Sequence, residues 1–206
     1  MVNISHLTIL KQGIDTWNRW RQKDPTLRPN LQGADLRGAD LYAINFSHTY
    51  LSGADLRQAY LLDADLSDAN LRNANLTRAC LIGVNLHDAY LSGANLSQAY
   101  LAQGDLSAAH LRESNLTGAH LQAAILKGAY LRGADLNQAD LSRTQGLTPL
   151  QVKYAKGLYA ADCLYSTDYS EELRQTLASS TLSSLKMVEL DSSVQLRSPV
   201  AVPLPD

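Results

Sequence analysis

Leucine returns at every fifth position from Leu31 to Leu141, with Phe46 its single replacement, and alanine precedes it by two residues at 17 of 22 places between 34 and 139. Asp, Asn, Ser, Arg, Gln and Gly fill most positions between them. On an α-helix, at about 100° per residue, a step of five turns each leucine by roughly 140°, which leaves no polar face. On a flat strand an odd step sends successive leucines to opposite sides, which leaves no buried face. A chain that bends once per five residues escapes both difficulties, because alanine and leucine then share the inner side of each short extended piece. Such a chain winds, and its stacked turns can satisfy one another's backbone N–H and C=O groups around a continuous leucine column. The pattern therefore predicts an all-β solenoid with coils about 4.8 Å apart.

Outside the repeat the apolar spacing changes. Leu7, Leu10, Ile14, Trp17 and Trp20 follow helical spacing and predict one amphipathic helix, ended by Pro25 and Pro29. A solenoid exposes the leucines and strand edges of its first coil, so this helix is expected to cap it. After the repeat, Thr148 as N-cap, Pro149 at the first helical position and Gly157 as a stop predict a short C-terminal capping helix. Ser170 with Glu171 and Glu172 suggests a second. The expected organisation is an N-terminal capping helix and lead-in at 1–30, a solenoid at 31–145, capping helices at 146–182 and a flexible tail at 183–206.

The segments ADLRGADL (34–41), ANLRNANL, GANLSQAYL and GADLNQADL (133–141) resemble the pentapeptide-repeat proteins, whose motif is A(D/N)Lxx with a central leucine. The N-terminal helix and the LTPLQVK ending are similar to the cytosolic members found in photosynthetic bacteria. The resemblance implies a right-handed quadrilateral β-helix with four pentapeptides, hence about 20 residues, per turn. The period of five alone fixes neither the four sides nor the hand.

Residues 20 apart should then stack, and the residue before each leucine sorts accordingly. One face reads Asp35, Asp55, Asn75, Asn95, Asn115, Asp135, and the face opposite reads Asn45, Asp65, Asn85, Asp105, Ile125. The aromatic departures fall on the other two, Asp40, Tyr60, Cys80, Tyr100, His120, Asp140 and Tyr50, Asn70, Tyr90, His110, Tyr130. The residue after each leucine separates these two. Beside Tyr50, Tyr90 and Tyr130 run Ser52, Arg72, Ser92, Arg112 and Arg132, whereas beside Tyr60, Cys80 and Tyr100 run Tyr42, Leu62, Ile82 and Ala102. Tyr42, Tyr60, Leu62, Cys80, Ile82 and Tyr100 thus form an outward apolar strip, to be covered by the chain's own C-terminal segment, by a protein partner or by a second copy.

Composition adds exclusions. The 206 residues carry 18 Lys and Arg against 20 Asp and Glu, so general attraction to nucleic acid is not expected. Cys80 and Cys163 lack CxxC spacing, no long apolar run marks a leader or a membrane span, and a cytoplasmic location fits. His110 and His120 fall on opposite faces, and there is no glycine-rich phosphate loop, so no catalytic residue, metal or cofactor is expected. The function so read is a non-enzymatic structural or protein-interaction scaffold. The family resemblance offers an alternative, a DNA-mimic modulator of a type II topoisomerase, which needs a strongly acidic rod. Residues 31–145 hold ten Asp and Glu113 against seven Arg and Lys127, too nearly balanced for uniform acidity.

Overall fold

A computed structural model describes residues 4–158 and Gln175. The second expected C-terminal helix and the tail at 183–206 lie outside the described residues. From Asn30 onward the residue before each leucine forms a parallel bridge with the residue 20 positions later, giving four ladders that run from Asn30↔Tyr50 to Ile125↔Gln145. Each coil is therefore four-sided. Face A carries Asp35, Asp55 and onward; face B Asp40, Tyr60, Cys80; face C Asn45, Asp65, Asn85; face D Tyr50, Asn70, Tyr90.

The motif can be read as an accounting of five backbone N–H groups. In the pentapeptide centred on Leu56, Ala54 N–H closes a turn onto Leu51 O, and Asp55 N–H reaches back to Ala34 O in the preceding coil. Leu56 N–H donates to Asn75 O and Gln58 N–H to Thr77 O, both in the following coil. The remaining donor, Arg57 N–H, is taken by the side chain of Asp55. Every Asp or Asn before a repeat leucine, from Asn30 to Asp140, accepts such a bond from the amide two residues on. The recurrent acidic or amide residue is thus a turn-capping group.

The bend sits at the second residue after each leucine, where φ is positive at all positions from Gly33 to Arg143. One positive φ at the second central residue of a turn is the signature of type II. Glycine supplies it at Gly53 without strain, and the other occupants include Asn, Asp, Gln, Arg and Ala but no β-branched residue. Inside, Leu51 to Leu141 and their alanines are buried, forming the core with Phe46. The polar intruder Ser114 is satisfied by donating from Oγ to Leu111 O at 2.7 Å.

The N-terminal region departs from the single expected helix. It forms α1 (Ile4–Leu10) and α2 (Ile14–Lys23), parted at Gly13, whose φ of 106° no helix accommodates. Side chains of α2 occupy the backbone groups of the first coil that a preceding coil would otherwise meet. Asn18 Oδ1 accepts from Asn45 N–H at 2.9 Å while its Nδ2 donates to Ala43 O at 3.1 Å. Trp17 Nε1 donates to Asn45 O at 2.7 Å, and the buried Arg21 donates to Ser47 O at 2.8 Å. Beneath them Trp17 meets Phe46 edge-on, with ring centres 5.4 Å apart, which accounts for the one break in the leucine column.

At the other end α3 (Pro149–Val152) starts at Thr148 with a reciprocal Thr148–Gln151 capping box. Gln151 Nε2 also donates to Leu126 O and Ala129 O of the last full coil. Gly157 was expected to stop this helix, which instead ends at Val152. Gly157 serves a close approach: φ is +76°, and a Cβ there would run into the Asn137 backbone. The chain rejoins face A through Asp135↔Lys156, a step of 21 residues in place of 20, so one extra residue absorbs the helical turn.

Candidate interaction surface

Each face presents two outward positions per coil, one on either side of the leucine. On face A, Arg37 forks onto Asp35, with Nη2 at 2.6 Å, and lies 3.7 Å from Asp55; Arg57 pairs with Asp55 at 2.7 Å. The Arg37 side chain holds the Asp35 carboxyl down to about 2. These charges neutralise one another locally. Higher on the face, Thr77 and Asn75, then Ser97 and Asn95, continue it as a neutral polar ladder. Face C has the same character, with Ser67 and Asp65 hydrogen bonded and Asn85 Nδ2 donating to Asp65 at 3.1 Å.

Faces B and D lose the turn-capping side chain at most levels and hold rings instead. On face D the rings of Tyr90, His110 and Tyr130 stack at 4.8 and 4.7 Å, and the Arg72 guanidinium lies 4.6 Å over Tyr90. These spacings equal the distance between coils, so the ladder itself sets the stack. On face B, Tyr60, Cys80, Tyr100 and His120 are joined by consecutive bridges, and Tyr100 stacks on His120 at 4.8 Å. Tyr42 lies against Tyr60 with ring centres 6.5 Å apart.

The six residues singled out in the sequence therefore sit together on face B. Tyr42, Tyr60 and Tyr100 are 48%, 43% and 46% exposed, and Leu62, Cys80 and Ile82 are partly exposed between them. Ala102 extends the strip, and Gln122, which donates to Asp140, ends it in polar surface. Sequence reasoning did not foresee the role of Asn18 and Arg21 at the coil end. The signal available was a polar side chain on the same side of α2 as Trp17.

Among the described residues no group of three His, Cys, Asp or Glu is placed to hold a metal ion, and no helix is long and apolar enough to cross a membrane. His110 and His120 lie in different ladders, bridged to Tyr130 and to Asp140.

The chain is similar to known proteins. The family model for pentapeptide repeats matches in overlapping copies at 30–61, 49–88, 79–118, 89–128 and 114–145. Among solved structures, a pentapeptide repeat protein from the Arabidopsis thaliana thylakoid lumen is 31% identical over 70% of this chain and 90% of its own, with a TM-score of 0.39. One from Nostoc is 34% identical over 50% of this chain and 84% of its own, with a TM-score of 0.43. QnrB1, a plasmid-mediated fluoroquinolone resistance protein, is 17% identical over 77% of this chain and 85% of its own, with a TM-score of 0.30. No curated protein matches significantly. With a recurrent leucine and alanine column, four ladders and a family match spanning the whole solenoid, the chain belongs to the pentapeptide repeat family.

Proposed function

We propose that this protein is a non-enzymatic scaffold that binds a protein partner, or a second copy of itself, through the face B strip of Tyr42, Tyr60, Leu62, Cys80, Ile82 and Tyr100. The observation that carries the reading is one contiguous run of outward apolar and aromatic side chains on a rigid stack. Runs of this kind mark interaction surfaces more often than they occur as ordinary exterior. The right-handed sense of the coil and a cytoplasmic location belong to the same reading. DNA mimicry finds less support, because the Asp and Asn side chains cap turns, Arg37 and Arg57 offset their neighbours, and face D is basic.

The test is the double variant Leu62→Arg/Ile82→Arg, compared with the parent in affinity capture and in sedimentation. Both side chains point outward, so the melting temperature should stay close to that of the parent. Loss of a captured protein or of self-association supports the reading. Unchanged capture together with unchanged association state removes the strip from any role.

A further inference from the structure

Face D differs from the other three in charge. Its outward positions hold Arg72, Arg112 and Arg132 and no carboxylate, whereas face A carries Asp35, Asp55 and Asp135, face B Asp40 and Asp140, and face C Asp65 and Asp105. All three arginines are exposed. The nearest carboxylates stand at corners: Glu113 lies 3.2 Å from Arg112, while Asp68 and Asp88 lie 3.8 and 3.1 Å from His48 and His87. The Arg72 guanidinium lies over the end of the Tyr90, His110 and Tyr130 stack, and Arg112 and Arg132 follow on the same face in later coils. A row of guanidinium groups along one face suits carboxylates on an extended chain.

The chain itself contains such a ligand. Residues 159–172, YAADCLYSTDYSEE, carry Asp162, Asp168, Glu171 and Glu172 with no Lys, Arg or His. They follow Leu158, which is buried at the C-terminal end of the stack. An extended segment of this length reaches roughly 45 Å. Arg132 and Arg72 are three coils apart, about 14 Å, so the segment spans them with chain to spare. Face B suits it poorly, having no outward Lys or Arg and an Asp at either end, Asp40 and Asp140. We propose that the acidic segment 159–172 docks along face D of its own rod, setting carboxylates against Arg72, Arg112 and Arg132 and leaving face B uncovered. This assignment rests on charge and chain length, and binding of a separate partner to face B neither supports nor overturns it.

Cys163 lies within the segment, and in a Cys80→Ser background it is the sole thiol of the full chain. Its rate of alkylation by a maleimide reports docking. The rate in the intact protein should fall below that of a free peptide of residues 159–172. It should rise on the order of tenfold, as expected from losing three exposed ion pairs, in Arg72→Glu/Arg112→Glu/Arg132→Glu. Salt at about 0.5 M should act in the same direction. Leu62→Arg/Ile82→Arg should leave the rate unchanged. Should the charge reversals disturb folding, as a circular-dichroism melt would reveal, Arg72→Gln/Arg112→Gln/Arg132→Gln with the salt series carries the test. The proposal is overturned by a parent rate equal to that of the free peptide, by indifference to the arginine changes, or by release in the Leu62/Ile82 variant, which would place the segment on face B. A rate that depends on protein concentration would also overturn it, assigning the contact to a second copy.

Discussion

At the residue scale, one departure from the inward alanine is matched by its neighbour in the adjacent coil. Gly104 is one of the few inward positions that is not alanine, and a Cβ there would lie 3.1 Å from Val84 Cγ1 directly beneath it. The extra methyl of Val84 fills what the Gly104 side chain would occupy. Gly104→Ala should therefore cost about 1 to 3 kcal/mol, and adding Val84→Ala should recover most of that loss. Equal costs for the single and double variants in chemical denaturation would contradict the pairing. Gly83 illustrates a different constraint, since a Cβ would collide with Asp63 Oδ1 at a corner where φ is +67°, whereas Gly53 at +64° faces open space. Gly83→Ala should be the more destabilising of the two, with Gly53→Ala losing only about 1 kcal/mol of left-handed strain. Inside the column Leu81→Ala should cost about 2 to 5 kcal/mol, since its side chain is fully buried. The inward leucines and alanines were legible in sequence because they are periodic. The Val84 and Gly104 compensation was not, because it needs the 20-residue stacking before either residue explains the other.

At the element scale, each end of the solenoid replaces a missing coil, and the replacement uses side chains. The Asn18 amide accepts from Asn45 N–H, as a carbonyl of a preceding coil would, and donates to the turn carbonyl of Ala43. Asn18→Asp keeps the shape but removes the donor and sets a carboxylate against Ala43 O. The expected cost is about 1 to 3 kcal/mol, read from thermal melts followed by tryptophan fluorescence, since both tryptophans lie in α2. His6 adds a pH dependence. Its Nδ1 accepts from Asn30 N–H at 3.0 Å, which requires the neutral ring, and burial pushes its pKa below the ordinary 6.5. The unfolded chain then binds the proton more readily than the folded one, so this contribution is complete above pH 6.5 and is lost as pH falls through the folded-state value. Melts followed by tryptophan fluorescence should show destabilisation between pH 7.5 and pH 5 that is smaller in His6→Gln. An identical pH profile in the two proteins would refute that role. The sequence pattern predicted helix here because Leu7 to Trp20 keep helical spacing across Gly13. The apolar period runs through the break at residues 11–13, where the positive φ of Gly13 parts α1 from α2.

At the scale of the whole molecule, four ladders of one repeat carry three kinds of surface. Faces A and C are polar, face D is basic and aromatic, and face B is apolar over about four coils. This segregation could be read from the sequence once the family resemblance supplied the number of sides, because every outward position then has a fixed address. What binds face B could not be read the same way, since a side-chain ladder states its chemistry but not its occupant. The backbone explains why such variation is tolerated: in the pentapeptides centred on Leu51 through Leu121 four of the five N–H groups are satisfied by main chain, so outward side chains can change with little effect on the coil.

The most direct test of the scaffold reading is the sedimentation and capture behaviour of Leu62→Arg/Ile82→Arg beside the parent, with melting temperatures measured on the same preparations. The account predicts an unchanged melt and a bound protein or second copy present with the parent and absent with the variant. A variant that retains both the same captured protein and the same association state as the parent would contradict it.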